Sequence, residues 1–134
     1  MNQEWTVHLS TLNCAKNFPF QNEDALVNIF GRLLPVRSSH DIYVFGFQEL
    51  VSTWEASFPL AVEPLMSYLA NLAVSCANSL SEERRYKLIG TTFTGAVGIV
   101  VLADERFKVE NVTFSNFRCG LLNSSLKGSA TVCC

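Results

Sequence analysis

Three polar side chains that could act on a phosphate or a metal follow the ends of two apolar runs. Gln48 and Glu49 end the run 41–49, whose centre is apolar, and Asn13 follows the alternating run 5–12. Ligands bind at the carboxyl ends of strands in open α/β sheets, and an unpaired carboxylate in an apolar setting is costly. We therefore expect Glu49 to be hydrated, paired or bound to a metal, although a strand that merely ends in polar surface residues gives the same pattern.

A second group of candidate residues lies in the glycine-bounded segment 119–128. Asn123, two serines, Lys127 and Gly128 are found there. Backbone amides, hydroxyls and a lysine can together hold a phosphate. An ordinary connecting turn with a solvated Lys127 explains the same residues, and taken alone this segment favours that interpretation.

Other motifs and the composition exclude several functions. The segment 90–95 has the glycine spacing of a phosphate loop, but Ala96 and Val97 stand where Lys and Ser/Thr are required. His8 and His40 have no second ligand at metal-binding spacing. The net charge of −2 gives no basic field, so no nucleic-acid partner is expected. Five cysteines without paired spacing are expected to be reduced, mostly buried thiols.

Hydrophobic periodicity predicts the elements that would position these residues. The fold class predicted is α/β or α+β, a single domain over residues 1–134 in which helices cover a mixed sheet. A helix should begin near Asn22 and end at Pro35, and a second should lie within 61–80 with Pro64 in its first turn. The predicted strands are 5–12, 41–47, 86–93, 96–103, 107–114 and 129–134.

The apolar stretch 61–80 is not expected to span a membrane, because Glu63, Pro64 and several Ser and Asn residues interrupt it. The amino terminus lacks the order of charged and apolar residues that marks a secretory signal, which favours residence on the cytosolic side. The last predicted strand ends at Cys134 in the middle of a hydrophobic run. The sheet therefore looks truncated, and its face and final strand are expected to be bare and prone to aggregation.

The order of these pieces resembles the inositol polyphosphate 5-phosphatase family, within the DNase I-like, magnesium-dependent phosphoesterases. The matching segments are 5–14, 41–49, 86–88, 98–102 and 120–128, in collinear order, and 41–49 is the most specific. The sequences of these segments are most similar to those of short fungal phosphatidylinositol 4,5-bisphosphate 5-phosphatases. The resemblance implies that the chain is the amino-terminal half of a four-layer α/β/β/α sandwich built from two equivalent halves.

The resemblance also implies roles for the candidate residues. Glu49 would bind catalytic Mg²⁺, and Asn13 would orient the phosphate or a metal-bound water, or bind the metal, with Gln48 beside it. Lys127, Gly128 and Asn123 would lie near the anionic groups of the substrate. The loop departs from the family at one position, because Leu126 stands where the family has Asn in its Asn-Lys-Gly triplet.

The function implied is Mg²⁺-dependent removal of the 5-phosphate of phosphatidylinositol 4,5-bisphosphate at a membrane surface, in the cytoplasm or on the cytosolic face of endomembranes such as the endoplasmic reticulum. The family's general base and phosphate clamps lie in later blocks that these 134 residues lack, so the isolated chain is expected to be inactive without its second half. Two alternatives remain open: another phosphodiesterase of the superfamily, such as an endonuclease or sphingomyelinase, and a non-catalytic binding module.

Overall fold

A computed structural model describes residues 4–35, 40–118 and 128–133 of the chain. Strands and helices alternate in the first half, and strands dominate the second, as the sequence predicts. The elements are β1 (Val7–Asn13), α1 (Glu23–Leu33), β2 (Ile42–Gln48), α2 (Thr53–Ala56), α3 (Pro59–Leu80), β3 (Tyr86–Thr94), β4 (Val97–Asp104), β5 (Thr113–Arg118) and β6 (Gly128–Cys133).

Four strands form a mixed sheet in the order β1-β2-β4-β3. β1 and β2 are parallel, with Val7 opposite Ile42 and Asn13 opposite Gln48, whereas β4 is antiparallel to both β2 and β3. The strands β1, β2 and β3 therefore run in one direction and end at the same edge of the sheet. We call this edge, which carries Asn13 and Glu49, the carboxyl edge.

The helices cover one face of this sheet and enclose the core. Phe45 and Phe47 of β2 point toward them and meet Phe30 of α1, whose ring centroid lies 5.6 Å from that of Phe45. All three side chains are fully buried, as is Leu69 of α3. Their burial supplies the main free energy that holds α1 and α3 on the sheet.

The helix boundaries agree with the sequence signals except at the start of α3. Asn22 caps α1 by accepting a hydrogen bond from the Ala25 N–H at 3.0 Å. The helix α3 begins earlier than predicted, with Pro59 in its first turn. Pro64 therefore lies inside the helix rather than in its first turn, and that expectation was wrong. Pro59 provides the helix-starting signal, because a missing N–H costs nothing at that position.

The remaining strands form a separate layer on the other face of the sheet. β5 and β6 pair in antiparallel register, from Thr113 opposite Cys133 to Arg118 opposite Gly128, and contact β3 and β4. The described residues thus form α, β and β layers. The predicted strand 107–114 was misplaced: Phe107 follows a turn after Asp104, and the strand starts only at Thr113.

The sheet face and the final strand were expected to be bare, and the structure agrees with this only in part. Val132 of β6 faces the first sheet and lines an apolar gap of about 80 Å³ together with Val44 and Val101. Exposed apolar side chains are found on β1, where Val7 and Leu9 are 54% and 67% exposed, and on β5, where Phe117 is 65% exposed. Within the described residues β6 pairs only with β5.

Charged residues brace the end of the sheet opposite the carboxyl edge. Arg84 Nη1 donates to Asp41 Oδ1 at 2.6 Å and lies 3.4 Å from Asp104 Oδ2. Arg106 binds both oxygens of Asp104, which is fully buried. The Thr6 hydroxyl donates to Asp41 Oδ2 at 2.7 Å. Each buried carboxylate therefore has a cationic partner, as burial of charge requires.

The apolar helix α3 and the cysteines fit a core role. Of the described helices, α3 alone has the length and mean hydropathy (1.3) that could cross a membrane, yet its buried face packs on the sheet. Cys14 and Cys76 are free and buried, and Cys133 is free and exposed. The expectation of reduced thiols therefore agrees with the cysteines that the structure describes.

Candidate functional site

Asn13 and Glu49 meet at the carboxyl edge. Because β1 and β2 are parallel neighbours, Asn13 at the end of one lies opposite Gln48 at the end of the other. The Asn13 Nδ2 donates a hydrogen bond to Glu49 Oε1 at 3.1 Å. Gln48 is exposed beside them. The sequence positions that were expected to share one wall of a site therefore lie together.

Backbone hydrogen bonds fasten the two chain segments that leave these strands. The Cys14 N–H donates to the Gln48 carbonyl at 2.7 Å, and the Lys16 N–H donates to the Glu49 carbonyl at 2.8 Å. The Asn13 Oδ1 accepts the Ala15 N–H at 2.9 Å, which orients the amide so that its nitrogen faces Glu49. The carboxylate is thus positioned by an amide that the backbone itself holds in place.

Three residues of this edge have strained backbone conformations. Glu49, Ala15 and Lys16 have φ values of 51°, 51° and 60°. Within the described residues one other non-glycine position, Asn111, shares this left-handed conformation. Such residues cost on the order of 1–3 kcal/mol each and cluster at functional sites, where the surrounding structure imposes them. Their concentration around Glu49 marks this edge as the candidate active site.

Cys14 lies beneath the site but is not a candidate nucleophile. Burial, and to a smaller degree the nearby Glu49 carboxylate, raises the pKa of the Cys14 thiol to about 11, although its hydrogen bond with the Gln48 backbone works in the opposite direction. The thiol is therefore protonated at neutral pH, and thiolates rather than thiols are nucleophilic. The chemistry of the site must come from the oxygen and amide groups.

The residues at this edge fit a hard divalent cation. Glu49 is exposed, and Oε1 receives the Asn13 hydrogen bond while Oε2 remains available. The Asn13 Oδ1 has one partner and can accept another. In the described part of the chain no three His, Cys, Asp or Glu side chains form a cluster that could hold a metal. Hard divalent cations take oxygen ligands, which one or two carboxylates, waters and substrate phosphates commonly supply.

The predicted phosphate-contacting segment is largely outside the described residues. Asn123 and Lys127 lie outside them, so their positions relative to Glu49 stay predictions. Gly128 is described and is the first residue of β6, paired with Arg118 of β5. Its expected contact with substrate also stays a prediction.

Sequence reasoning missed the short helix α2, which begins four residues after Glu49. Ser52 caps it, and the Glu55 carboxylate accepts hydrogen bonds from the Ser52 N–H and hydroxyl at 3.0 and 2.6 Å. The hydroxyl and backbone bonds together lower the pKa of Glu55 below its usual range. The sequence Ser52-x-x-Glu55 is the capping-box signature and could have revealed the helix.

Three exposed apolar side chains lie on α2 and at the start of α3, shortly after Glu49 in the chain. Trp54, Phe58 and Leu60 are 75%, 48% and 85% exposed. The rings of Trp54 and Phe58 contact each other at 5.1 Å between centroids. We call these three side chains the apolar tip.

The chain matches the model of a known protein family. Residues 10–133 match the family model described as endonuclease/exonuclease/phosphatase family 2. The chain belongs to this family. The match includes Asn13, Glu49 and every strand from β2 to β6. No curated protein sequence matches the chain significantly.

Solved structures show a related fold. The chain is similar to the inositol polyphosphate 5-phosphatase domain of a synaptojanin, which was solved in complex with inositol 1,4-bisphosphate and a calcium ion. The two share 18% sequence identity with a TM-score of 0.61, over 96% of this chain and 35% of the other. The expected DNase I-like α/β fold is therefore confirmed. This chain spans about a third of the length of that neighbour.

Proposed function

We propose that the chain contributes the metal-binding edge of a phosphomonoester hydrolase that removes the 5-phosphate of phosphatidylinositol 4,5-bisphosphate. The observation that carries the proposal is the Asn13–Glu49 pair, held at the carboxyl edge by strained backbone. The family includes phosphatases, and the synaptojanin domain with a related fold binds an inositol bisphosphate and a divalent ion. Both support a phosphoester substrate and a divalent cofactor.

Each residue of the carboxyl edge would have a separate role in the reaction. Glu49 would hold Mg²⁺, whose contribution when bound is to neutralise charge on the phosphoryl oxygens and the leaving group. Asn13 keeps the Glu49 carboxylate oriented through its amide nitrogen. Gln48 lies beside it, where it can bind water or a phosphoryl oxygen. Lys127, Gly128 and Asn123 are proposed to contact the phosphates.

The apolar tip supports the proposal that the substrate lies in a membrane surface. Side chains of Trp and Phe favour the interface between lipid headgroups and acyl chains. Trp54 and Leu60 are the most exposed large apolar side chains in the described residues and follow Glu49 in the chain by five and eleven residues. A tip inserted there would bring Glu49 near the headgroups. We propose the cytosolic face of endomembranes as the site of action.

Titration with Mg²⁺ tests the metal site directly. Trp54, five residues from Glu49, is a natural fluorescent reporter. We expect Mg²⁺ to change the emission of the wild-type chain and to have no such effect on Glu49→Gln, because only the carboxylate supplies the charge. Glu63→Gln on α3 is the matched control and should behave as wild type. An unchanged response in Glu49→Gln would refute the metal role of Glu49.

Hydrolysis separates the phosphatase from the alternatives. We expect the 134-residue chain to bind Mg²⁺ without rapid turnover of phosphatidylinositol 4,5-bisphosphate, and a protein that joins the chain to the remaining part of a family catalytic domain to release inorganic phosphate. Rapid turnover by the chain alone would contradict this expectation. Cleavage of DNA or sphingomyelin instead would identify another phosphodiesterase, and the absence of any Glu49-dependent metal response would favour a non-catalytic binding module.

Vesicle binding tests the apolar tip. The Trp54→Ser variant should bind vesicles of neutral and anionic phospholipid several-fold more weakly, because it removes the largest apolar side chain from the tip. Leu9→Ser on β1, which is similarly exposed, should bind as wild type does. Co-sedimentation with sucrose-loaded vesicles measures both. Equal losses in the two variants would show that general stickiness, not the tip, causes binding.

A further inference from the structure

Lys16 carries a positive charge at the carboxyl edge, and no ion pair within the described residues neutralises it. Among the described residues that follow the ends of β1, β2 and β3, it is the only lysine or arginine. Its side chain is exposed and forms no ion pair with any residue that the structure describes, whereas Arg84, Arg106 and Lys108 are all paired with carboxylates. The charge of Lys16 is therefore available to a ligand.

The backbone holds Lys16 in a costly conformation. Its φ of 60° follows the similar value of 51° at Ala15. Its N–H is bonded to the Glu49 carbonyl, and the Asn17 N–H is bonded to the Cys14 carbonyl at 3.0 Å, so the turn is fixed. Glycine would adopt these angles with little strain, whereas residues that have a Cβ atom rarely adopt them. Lys16 therefore carries a conformational cost that a glycine at this position would avoid.

Lys16 lines a groove that could hold a small ligand. The groove has a volume of about 430 Å³, and residues 16–21 form one wall. Leu50, Val51, Glu55 and Leu65 form the other. This volume is within the range of sites that bind small molecules. The Glu55 carboxylate, which accepts hydrogen bonds from Ser52 in the capping box, is the one anion among the residues that line the groove, and Lys16 is the one cation.

The groove adjoins the candidate metal site without being part of it. The Lys16 backbone bonds to Glu49, yet its ammonium group forms no ion pair with the Glu49 carboxylate. A ligand that spans both places therefore needs two anionic groups, one at Glu49 through a metal and one at Lys16. A ring that carries several phosphates has this character.

We propose that Lys16 binds a phosphate of the substrate other than the one that is hydrolysed. This inference rests on the proposed function and deepens it: the substrate would be a cyclic polyol with at least two phosphates, either as a lipid headgroup or as the free inositol phosphate. The contact would be a charge-assisted hydrogen bond from the ammonium group to a phosphoryl oxygen. Lys16 would then favour multiply phosphorylated substrates over singly phosphorylated ones.

Calorimetric titration with inositol 1,4-bisphosphate, which carries no 5-phosphate, tests this contact. Lys16→Gln should bind about tenfold more weakly than the wild-type chain, a typical effect of losing one hydrogen bond to a charged group. Lys16→Arg should retain most of the affinity. Lys87→Gln, at the start of β3 and thus at the opposite end of the sheet, is the matched control and should bind as wild type. Uncharged myo-inositol should show no dependence on Lys16.

A double-mutant cycle distinguishes the two phosphate positions. If Lys16 and Glu49 hold different groups, Lys16→Gln should cost the same factor in the Glu49→Gln background as in the wild type. A loss that disappears in that background would overturn the proposal, as would equal losses in Lys16→Gln and Lys87→Gln or no measurable binding by the wild type. Absence of any Mg²⁺ response with an intact Lys16 effect would instead refute the proposed metal chemistry alone.

Comparison of ligand forms identifies the source of the phosphate. Short-chain phosphatidylinositol 4,5-bisphosphate and the free inositol bisphosphate should both lose affinity in Lys16→Gln by a similar factor. A loss confined to the lipid would indicate a headgroup that only membranes present correctly, and a loss confined to the free compound would indicate a soluble substrate. Near-ultraviolet circular dichroism of each variant checks that the fold is retained.

Discussion

The side chain that defines the site is carried by a backbone conformation that it does not favour. Glu49 has φ 51°, and its neighbours on both sides are held by bonds from Cys14, and from Leu50 to the Ala96 carbonyl. The surrounding strands impose this geometry, since an isolated glutamate would avoid it. The arrangement turns the carboxylate away from the sheet toward Asn13 and solvent. Stability and function should therefore conflict at this one residue.

Replacement of Glu49 by glycine should expose that conflict. Glu49→Gly is expected to raise the free energy of unfolding by up to about 1 kcal/mol, because the relief of left-handed strain exceeds the entropy that glycine gains in the unfolded chain. The same variant should lose its fluorescence response to Mg²⁺. Urea denaturation measures the first effect.

The matched variant for this comparison is Glu49→Gln. It removes the charge but keeps the strain, so its stability should stay within about 0.5 kcal/mol of wild type, as is usual for exposed positions. If Glu49→Gly is less stable than Glu49→Gln, the strain at this residue contributes little, and its value as a mark of the active site falls.

The secondary-structure elements explain why the placement of Asn13 beside Glu49 could be predicted from the sequence. The alternation in β1 and the apolar run of β2 are local signals, and each is followed by a polar residue. Because consecutive strands joined by a helix are usually parallel neighbours, Asn13 and Glu49 were expected at one edge. Their actual hydrogen bond of 3.1 Å follows from that topology.

Other features of the elements depend on contacts that a sequence does not display. The pairing of β5 with β6 and its layer over β3 are non-local, so the pattern at 107–112 was interpreted as a strand although it connects layers. The left-handed conformations of Ala15, Lys16 and Glu49 occur at residues that rarely adopt them. Local propensity therefore predicted the elements better than it predicted the second layer or the strain.

The contact between the two β layers leaves no room for a side chain at Gly90. A Cβ atom at this position of β3 would lie 2.5 Å from Cε2 and 2.6 Å from Cζ of Phe114 on β5. Gly90→Ala should therefore push the second layer away and lower the free energy of unfolding by about 1–3 kcal/mol, as overpacking typically does. Urea denaturation followed by circular dichroism measures this loss.

Two further variants show whether the layer contact is the cause. Gly90→Ala combined with Phe114→Leu should recover part of the lost stability, because the smaller side chain leaves room for the new methyl group. Gly31→Ala in α1, where a Cβ atom meets nothing within 4 Å, should be neutral or stabilising. If the double variant is no more stable than Gly90→Ala, the two layers are not in the contact described.

In the described residues, strained backbone lies mainly at the carboxyl edge of the four-stranded sheet, and buried charged side chains lie at its opposite end. The carboxyl edge carries exposed polar groups on left-handed backbone. The opposite end carries Asp41 and Asp104 with their arginine partners, buried between strands. Because the polar side chains of the carboxyl edge are open to solvent, we expect the opposite end and the aromatic core to keep β1 and β2 in register. We infer that the ion network stabilises the frame that positions Asn13 and Glu49.

Acid should weaken that frame in a defined range of pH. Hydrogen bonds from Arg106 lower the pKa of Asp104, against the effect of burial. For Asp41, burial alone would raise the pKa, but hydrogen bonds from Thr6 and the charge of Arg84 outweigh it and lower the pKa. A carboxyl group whose pKa is lowered by folding contributes stability above its unfolded pKa, which is about 3.9. That contribution is lost as pH falls below about 4 toward the folded pKa values.

Urea denaturation between pH 7 and pH 2.5 measures this contribution. The wild-type chain should keep an almost constant contribution from these two groups down to about pH 5 and lose it progressively below pH 4. Asp104→Asn should be less stable at pH 7, because Arg84 and Arg106 lose a buried partner, and should show a shallower decline in acid. Glu82→Gln, at an exposed position before β3, serves as the control and should follow wild type. An acid decline of equal steepness in Asp104→Asn would show that other carboxylates, not this network, hold the closed end of the sheet together.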